Sequence, residues 1–242
     1  MNHFLSRHAG RPRIAVGHAN QDQPGGDCAR VFRRPNGEVL CFLGDVSGHD
    51  EQATRLAWQL GSFVSARAAM TPGPMLSLLN AELHATWSDH LFVSAICLSF
   101  DARTGRGRMA VAGQLPPIIK TPWDASVLDV TAGPPLGVLT HERYREWDFG
   151  LSAGELLVAV TDGVTDPLAS HRDLLGMAAL ARLVSHAPAD PHEVCASLLR
   201  AVEPLARRDD ATVLAIGAAG NWAPAHPVEV FSRSTFNAME PA

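Results

Sequence analysis

Hydrophobic and polar positions near the N-terminus follow the pattern of strands rather than helices. The stretches RIAVGHA (13–19) and CARVFRR (28–34) are predicted as strands, and EVLCFLGDV (38–46) as a core strand. Asn-Gly at the centre of PNGE (35–38) predicts a hairpin turn between the last two. From residue 51 to 69 the apolar positions recur at helical spacing, which predicts an amphipathic helix.

The remainder of the chain contains more strands and three more helices by the same criteria. A second helix is predicted to start after TPGP (71–74) and to run to about residue 87. The strands that follow are LFVSAICLSFD (91–101), RGRMAVAG (106–113), PPIIK (116–120), SVLDV (126–130), YREWDF (144–149) and ELLVAVTDG (155–163). Two helices are predicted over roughly 173–185 and 190–203, and DDATVLAIG (209–217) is predicted as the last strand.

The order of these elements predicts the fold class. Helices that come in pairs, rather than alternating with strands, argue against a parallel doubly wound sheet. We therefore expect an α+β fold, in which a central antiparallel β-sandwich carries a helix pair on each face. One domain is predicted over residues 1–218, followed by a C-terminal tail, 219–242, that is poor in periodic pattern and is either docked or mobile.

Composition and charge exclude several kinds of partner. Hydrophobic residues make up 46% of the 242 residues, which is enough for a sizeable core. A net charge of -5 argues against nucleic acid or an anionic membrane as the main partner, since both require clustered basic residues. No apolar run approaches the ~18 residues of a membrane-spanning helix, and the N-terminus lacks the apolar segment of a signal peptide.

Cysteine and histidine usage indicates the compartment and the metal chemistry. The four cysteines never form CxxC, and Cys41 and Cys97 lie inside apolar runs, where buried reduced thiols are expected. We therefore expect a cytoplasmic protein. The 11 histidines show no HxxH or HExxH spacing, so a zinc site has little support.

Aspartates occur at the ends of predicted strands. Asp27 and the pair Asp209–Asp210 open strands, whereas Asp45 and Asp162 close them. Carboxylates brought to one sheet edge repel one another unless a cation lies between them, and Mg²⁺ and Mn²⁺ prefer such oxygen ligands. Two such ions can activate a water and hold a phosphoryl group. Any one Asp-Gly pair alone is more simply a turn, but the recurrence of the arrangement favours a metal site.

Six motifs carry a resemblance to a known family. In chain order they are GGD (25–27), GDVSGH (44–49), AGQLPPII (112–119), PLGV (135–138), TDGVTD (161–166) and RDDATVL (208–214). From about residue 13 to 217 the chain resembles the SpoIIE-like branch of the metal-dependent (PPM, type 2C) protein serine/threonine phosphatases. The resemblance implies the PPM-type fold, a four-layer α-β-β-α sandwich of two antiparallel sheets.

The resemblance also implies a catalytic site with two Mn²⁺ or Mg²⁺ ions. Asp45 would bridge both ions, and the backbone carbonyl of Val46 would help to hold one of them. Asp162 and Asp209 would bind the other ion, with Asp27 contributing directly or through water. Asp45, Asp162 and Asp209 would thus be the catalytic carboxylates, and no protein nucleophile is implied because metal-bound hydroxide attacks phosphorus.

Other positions near the motifs have weaker assignments. His49 is a candidate acid for the leaving oxygen, whereas His18 is expected to be a solvated loop residue. Asp50 stands where the family usually has glycine, either as the cap of the following helix or as an extra acidic ligand. Gln114 stands where the family usually has histidine. Asp210 is expected either to support the metal ligands from behind or to stabilise the turn beside the site.

Three functions are compatible with these residues. The first is an active Mn²⁺/Mg²⁺-dependent phosphatase whose bacterial relatives reset phosphorylated STAS-type anti-anti-sigma proteins in partner-switching stress responses. The second is a catalytically weak module that captures a phosphoprotein, and the third is a phosphatase for small phosphoesters. Retention of the four predicted metal-binding aspartates favours the first. We expect no room for a sensor domain in this chain, so control would come from a partner, from oligomerisation such as a homodimer, or from expression level.

Overall fold

The computed structural model describes residues 13–19, 25–48, 50–87, 91–169, 176–205, 209–218 and 230–232. The strands are β1 (Arg13–Ala19), β2 (Asp27–Arg33), β3 (Val39–Val46), β4 (Val93–Asp101), β5 (Arg106–Ala112), β6 (Ile118–Lys120), β7 (Ala125–Val127), β8 (Trp147–Gly150), β9 (Leu156–Val160), β10 (Ala211–Gly217) and β11 (Val230–Ser232). The helices are α1 (Glu51–Ala66), α2 (Pro72–Thr86), α3 (Asp162–Thr165), α4 (Met177–His186) and α5 (Pro191–Val202), with a 3₁₀ turn at Asp166–Leu168.

The strands form two sheets. The order in the β1 sheet is β11-β1-β10-β9-β6-β7, and the order in the β3 sheet is β2-β3-β4-β5-β8. Neighbouring strands are antiparallel, except that β11 runs parallel to β1 at one edge. The α+β class and the antiparallel sandwich that the sequence predicts are confirmed.

Strand β3 shows how the layers are held together. Val39, Cys41 and Leu43 pack into a core that both sheets share, whereas Leu40 and Phe42 pack into a second core with helices α1 and α2. Successive side chains on a strand point to opposite faces, so both faces of β3 are buried. This is the reason for its nearly continuous apolar sequence.

A third core lies on the outer face of the β1 sheet. There Val213 and Ala215 of β10 pack with apolar residues of α4 and α5, such as Leu180, Val194 and Leu198. Helices therefore cover both outer faces, with α1 and α2 on the β3 sheet and α4 and α5 on the β1 sheet. The predicted four-layer order of helices, sheet, sheet and helices is confirmed.

Several element bounds differ from the predicted ones. Helix α2 begins at Pro72, inside TPGP, because proline is well suited to a first helical turn. Strand β9 ends at Val160, and Asp162 begins the short helix α3 instead of closing the strand. Within the predicted tail, Val230–Ser232 pairs with β1, and the rest of 219–242 lies outside the described residues. The domain boundary at 218 stays a prediction.

The cysteines and the helix lengths bear on two further expectations. All four cysteines are buried free thiols, as predicted for Cys41 and Cys97. Among the residues described, no helix has both the length and the apolar character that crossing a bilayer requires.

Candidate metal centre

Two aspartates of the β3 sheet lie side by side. Asp27 is the first residue of β2 and faces Asp45 of β3 directly in the antiparallel register, while Asp45 faces Ser94 of β4 on its other side. Directly opposed residues have Cβ atoms about 4.5–5.5 Å apart. Asp45 follows Leu43 by two positions and so lies on the face that looks toward the β1 sheet.

The aspartates of the β1 sheet come from two adjacent chain segments. Asp162 begins α3 shortly after the end of β9, and the pair Asp209–Asp210 directly precedes β10, the neighbour of β9. The backbone N–H of Asp210 donates to Oδ1 of Asp209 at 2.8 Å. Gly163 lies against this segment so closely that a Cβ there would be 1.8 Å from the carbonyl oxygen of Asp210. Only glycine allows this approach.

Hydroxyl groups join the two sheets at this end of the sandwich. Oδ2 of Asp27 accepts a hydrogen bond from Thr161 Oγ1 at 2.9 Å and another from Thr212 Oγ1 at 2.5 Å. Thr161 precedes α3 and Thr212 lies on β10, so both belong to the β1 sheet side, and both are buried. The carboxylates of the two sheets are therefore held at a common edge.

The two glycines before Asp27 allow the chain to pass close to this edge. A Cβ at Gly25 would lie 1.7 Å from Oδ2 of Asp210. A Cβ at Gly26 would lie 2.4 Å from the carbonyl oxygen of Val46, whose N–H donates to Gly26 O at 3.1 Å. Any larger residue would push the carboxylates or the Val46 carbonyl away.

The electrostatics of this edge are unfavourable for so many negative charges. Burial, and then the carboxylates of Asp162 and Asp209, raise the pKa of Asp45 to about 8. Burial and the Asp45 carboxylate raise the pKa of Asp27 well above its usual range, although hydrogen bonds from hydroxyls oppose this. The pKa of Asp162 is raised by burial and then by Asp166 and Asp209. Asp45 and Asp162 therefore both lie where burial and neighbouring carboxylates disfavour the ionised form.

The donors at this edge suit a hard divalent cation. They are carboxylate and carbonyl oxygens, the ligands that Mg²⁺ and Mn²⁺ prefer. In the described part of the chain, no three His, Cys, Asp or Glu side chains form a ready-made set of ligands for one ion. Mg²⁺ is commonly held by only one or two carboxylates, with waters completing the shell. The residues present therefore fit such an ion, which would also relieve the repulsion that raises the pKa of Asp45.

The structure brings the predicted aspartates together but does not by itself assign their roles. Asp27, Asp45, Asp162 and Asp209 converge on the same end of the sandwich, and their role as metal ligands stays a prediction. His49 lies outside the described residues. Asp50 is the N-cap of α1, because its Oδ1 accepts the N–H of Ala53 at 2.9 Å.

Three further residues lie in or near the family motifs. Asp210 is buried and packs against Gly25 and Gly163, and its role beside the site stays a prediction. Gln114 is buried, its Oε1 accepts the N–H of Leu115, and its Nε2 has no hydrogen-bond partner among the described residues. Arg30 lies over Gly61 of α1, where a Cβ would be 2.3 Å from its guanidinium.

Sequence reasoning missed three residues that support this edge. Thr161 and Thr212 do not stand out by pattern, although both lie inside the six motifs. The prediction of His18 as a solvated loop residue is wrong, because His18 lies in β1 opposite Thr212, with Nδ1 at 2.6 Å from Thr212 Oγ1. Its place at the end of a predicted strand was the available signal.

The chain was compared with family models, with curated proteins and with solved structures. The family model for stage II sporulation protein E (SpoIIE) matches residues 35–218. A comparison with curated proteins finds none that matches this chain. Among solved structures, the RsbU and RsbW domains of a Mycobacterium tuberculosis protein match with 22% identity and a TM-score of 0.74, over 88% of this chain and 62% of that one.

Two further structures show the same likeness of fold. The PP2C phosphatase domain of Bacillus subtilis SpoIIE, with a fragment of its regulatory domain, is 17% identical with a TM-score of 0.75, over 86% of this chain and 63% of that one. RsbX in complex with magnesium is 15% identical with a TM-score of 0.66, over 85% of this chain and 94% of that one. The present chain thus spans less than two thirds of the length of the first two structures.

Proposed function

The chain belongs to the SpoIIE family, and on that premise we propose that it is a divalent-metal-dependent phosphatase that hydrolyses phosphoserine and phosphothreonine on a protein partner. The observation that carries this proposal is the convergence of Asp27, Asp45, Asp162 and Asp209 from both sheets on one edge. Burial and then mutual repulsion raise the pKa values of three of them, and a bound cation would stabilise their ionised forms.

The metal ligands are assigned as the family resemblance implies. Asp45 interacts electrostatically with carboxylates of both sheets. It would therefore contact each of the two Mn²⁺ or Mg²⁺ ions, and the Val46 carbonyl would contact one of them. Asp162 and Asp209 would hold the other, and Asp27 would contribute from β2. When bound, such ions lower the pKa of water and stabilise charge on a phosphoryl group. The similar structure of RsbX in complex with magnesium supports a hard divalent ion.

The rim of the site favours a protein substrate. Phe92 precedes β4, its N–H donates to Ser47 Oγ, and its side chain is 45% exposed next to the end of β3. Val138 and Leu139 are also exposed, in a loop that the buried side chain of Asn80 fixes through hydrogen bonds to Gly137 N and Leu139 O. Exposed apolar residues beside a site commonly contact a protein partner.

The proposed partner is a phosphorylated STAS-type anti-anti-sigma protein in a bacterial partner-switching pathway. The family resemblance supports this choice, and so does the likeness to a structure that contains RsbU and RsbW domains. A cytoplasmic location and a homodimer stay predictions. Nucleic acid and membranes are not proposed as partners, given the net charge of -5.

The test is a metal-dependent phosphatase assay on the purified chain. We expect hydrolysis of p-nitrophenyl phosphate that requires Mn²⁺ or Mg²⁺, and a far higher kcat/KM on a phosphorylated STAS protein than on a short peptide with the same phosphoresidue. Docking contacts beyond the phosphate would cause this difference. Tight binding of the phosphoprotein without turnover would instead indicate a binding module. Preference for nucleotide or sugar phosphates would indicate a small-phosphoester phosphatase.

A further inference from the structure

A chain of side chains connects β1 to Asp27 across the two sheets. His18 of β1 faces Thr212 of β10 in the antiparallel register, and its Nδ1 lies 2.6 Å from Thr212 Oγ1. Thr212 Oγ1 in turn lies 2.5 Å from Oδ2 of Asp27 in the other sheet. His18 therefore contacts Asp27 through a single intervening hydroxyl.

The directions of these hydrogen bonds follow from the available protons. An Asp27 that holds a divalent ion must be ionised and can only accept, so the one hydroxyl proton of Thr212 is donated to it. Oγ1 of Thr212 can then only accept from His18, which places a proton on Nδ1 of the imidazole. Thr161 completes the network, because its hydroxyl donates to Asp27 and accepts the N–H of Thr212 at 2.9 Å.

Burial leaves the threonine hydroxyls few other orientations. Thr161 is 0% exposed and Thr212 is 1% exposed, so bulk water does not compete for their protons. Without a donor at position 18, Thr212 Oγ1 would lose the partner that holds it from the β1 side, so its hydrogen bond to Asp27 would be less firmly placed. Groups that orient a metal ligand in this way commonly affect metal affinity by roughly 10–100-fold.

We infer that His18 is a positioning residue: its Nδ1–H keeps the Thr212 hydroxyl directed at Oδ2 of Asp27 and so fixes the orientation of that carboxylate for a divalent ion. This inference rests on the proposed function only in assigning Asp27 to the metal site. It requires a hydrogen-bond donor at the Nδ1 position and no titration of His18. Asparagine places an amide nitrogen at a similar distance from the backbone, so it can replace the imidazole as donor.

The experiment compares His18→Asn with His18→Leu by calorimetric titration of Mn²⁺ into the full chain, with thermal unfolding as the check on folding. We expect His18→Leu to weaken Mn²⁺ binding about tenfold and His18→Asn to stay within about threefold of the parent protein. Thr212→Val breaks the same chain at its middle and should weaken binding at least as much as His18→Leu. It also gives a second route to the answer if His18→Leu does not fold.

Combining two substitutions tests whether they act through one path. His18→Leu and Thr212→Val should be markedly non-additive, because either one removes the same oriented hydrogen bond. Equal Mn²⁺ affinity in the parent, His18→Leu and His18→Asn proteins would overturn the inference, and so would an equal loss in both variants. Mn²⁺ binding without phosphatase activity in the parent protein would count against the proposed function, while the comparison of variants would still decide the role of His18.

Discussion

Asp45 and Asp162 each follow an apolar run, but the chain holds them in different ways. Asp45 lies inside β3, paired with Asp27 on one side and Ser94 on the other. Asp162 lies beyond the end of β9 and begins a four-residue helix that rests on the segment before β10. Pairing with a strand on each side fixes Asp45, whereas close packing at Gly163 fixes Asp162. The two positions should therefore respond differently to nearby substitutions, although both carboxylates lie at the same end of the sandwich.

The largest expected effect comes from removing either carboxylate. Asp45→Asn and Asp162→Asn should each lower kcat/KM by at least about 100-fold, since even residues that merely orient metal ligands commonly contribute 10–100-fold. Asp129→Asn, at an exposed aspartate, is the matched control and should leave activity unchanged. Full activity of either site variant at saturating Mn²⁺ would remove that residue from the proposed metal site.

The glycines that follow the two aspartates test the difference in support. In Gly163→Ala the new Cβ would meet the Asp210 carbonyl oxygen at 1.8 Å, so we expect a loss of about 3 kcal/mol in the free energy of unfolding. Gly48 has φ +93°, but no atom lies within 4 Å of the position that an added Cβ would take, so Gly48→Ala should cost about 1–2 kcal/mol from backbone strain alone. Urea unfolding of both variants measures this, and an equal loss would contradict the proposed difference in packing.

The pH dependence of the metal-free protein probes the crowding around Asp45. Its folded-state pKa of about 8 lies above an unfolded value of about 4, so the folded state binds more protons between these limits. The contribution of Asp45 to the free energy of unfolding should be fully present below about pH 4 and should be lost as the pH rises toward 8. We expect the unfolding midpoint of the metal-free protein to drop by roughly 5 °C between about pH 5 and pH 8.

Two comparisons control this measurement. Asp45→Asn should reduce the pH dependence, because an amide has no charge to bury, and should leave the part that comes from Asp27 and Asp162. Added Mn²⁺ should restore the midpoint of the parent protein at the alkaline end of the range. A midpoint that instead rises steadily with pH in the metal-free protein would show that the carboxylates at this edge do not repel one another as described.

The smallest expected effect concerns Asp50, just beyond the Asp45 motif. Serine caps helices about as well as aspartate, so Asp50→Ser should change the free energy of unfolding by less than about 0.5 kcal/mol and leave the half-saturating Mn²⁺ concentration unchanged. Asp50→Ala, which removes the acceptor for the Ala53 N–H, should cost about 1 kcal/mol. A strong rise in the Mn²⁺ requirement of Asp50→Ser alone would identify Asp50 as an extra ligand.

The parts of the molecule that the sequence predicts well are those with a strong local pattern. Strand β3 is apolar on both faces and ends near Asp45, and both features can be read directly from residues 39–46. Helix α3 was missed because four residues are too few to show a helical period. Val230–Ser232 was missed for a similar reason, since three residues carry no reliable alternation.

The support of the site was hidden for a different reason. His18 and Thr212 are 194 residues apart in the chain, and their contact depends on the register between β1 and β10. A single sequence gives the residue types but not that register. The sequence could therefore predict that Asp27 lies with the other aspartates, but not which hydroxyls and which imidazole contact it.

The pairing of β1 with β10 also has a consequence for the order in which the protein is made. The β3 sheet and helices α1 and α2 come from residues 27–150, whereas β1 stays without its central neighbour until residues 211–217 have been synthesised. Contacts between distant segments form late, because a long loop must close first. During synthesis, Asp27 and Asp45 therefore leave the ribosome well before Asp209. The four aspartates can come together only once β10 has been made.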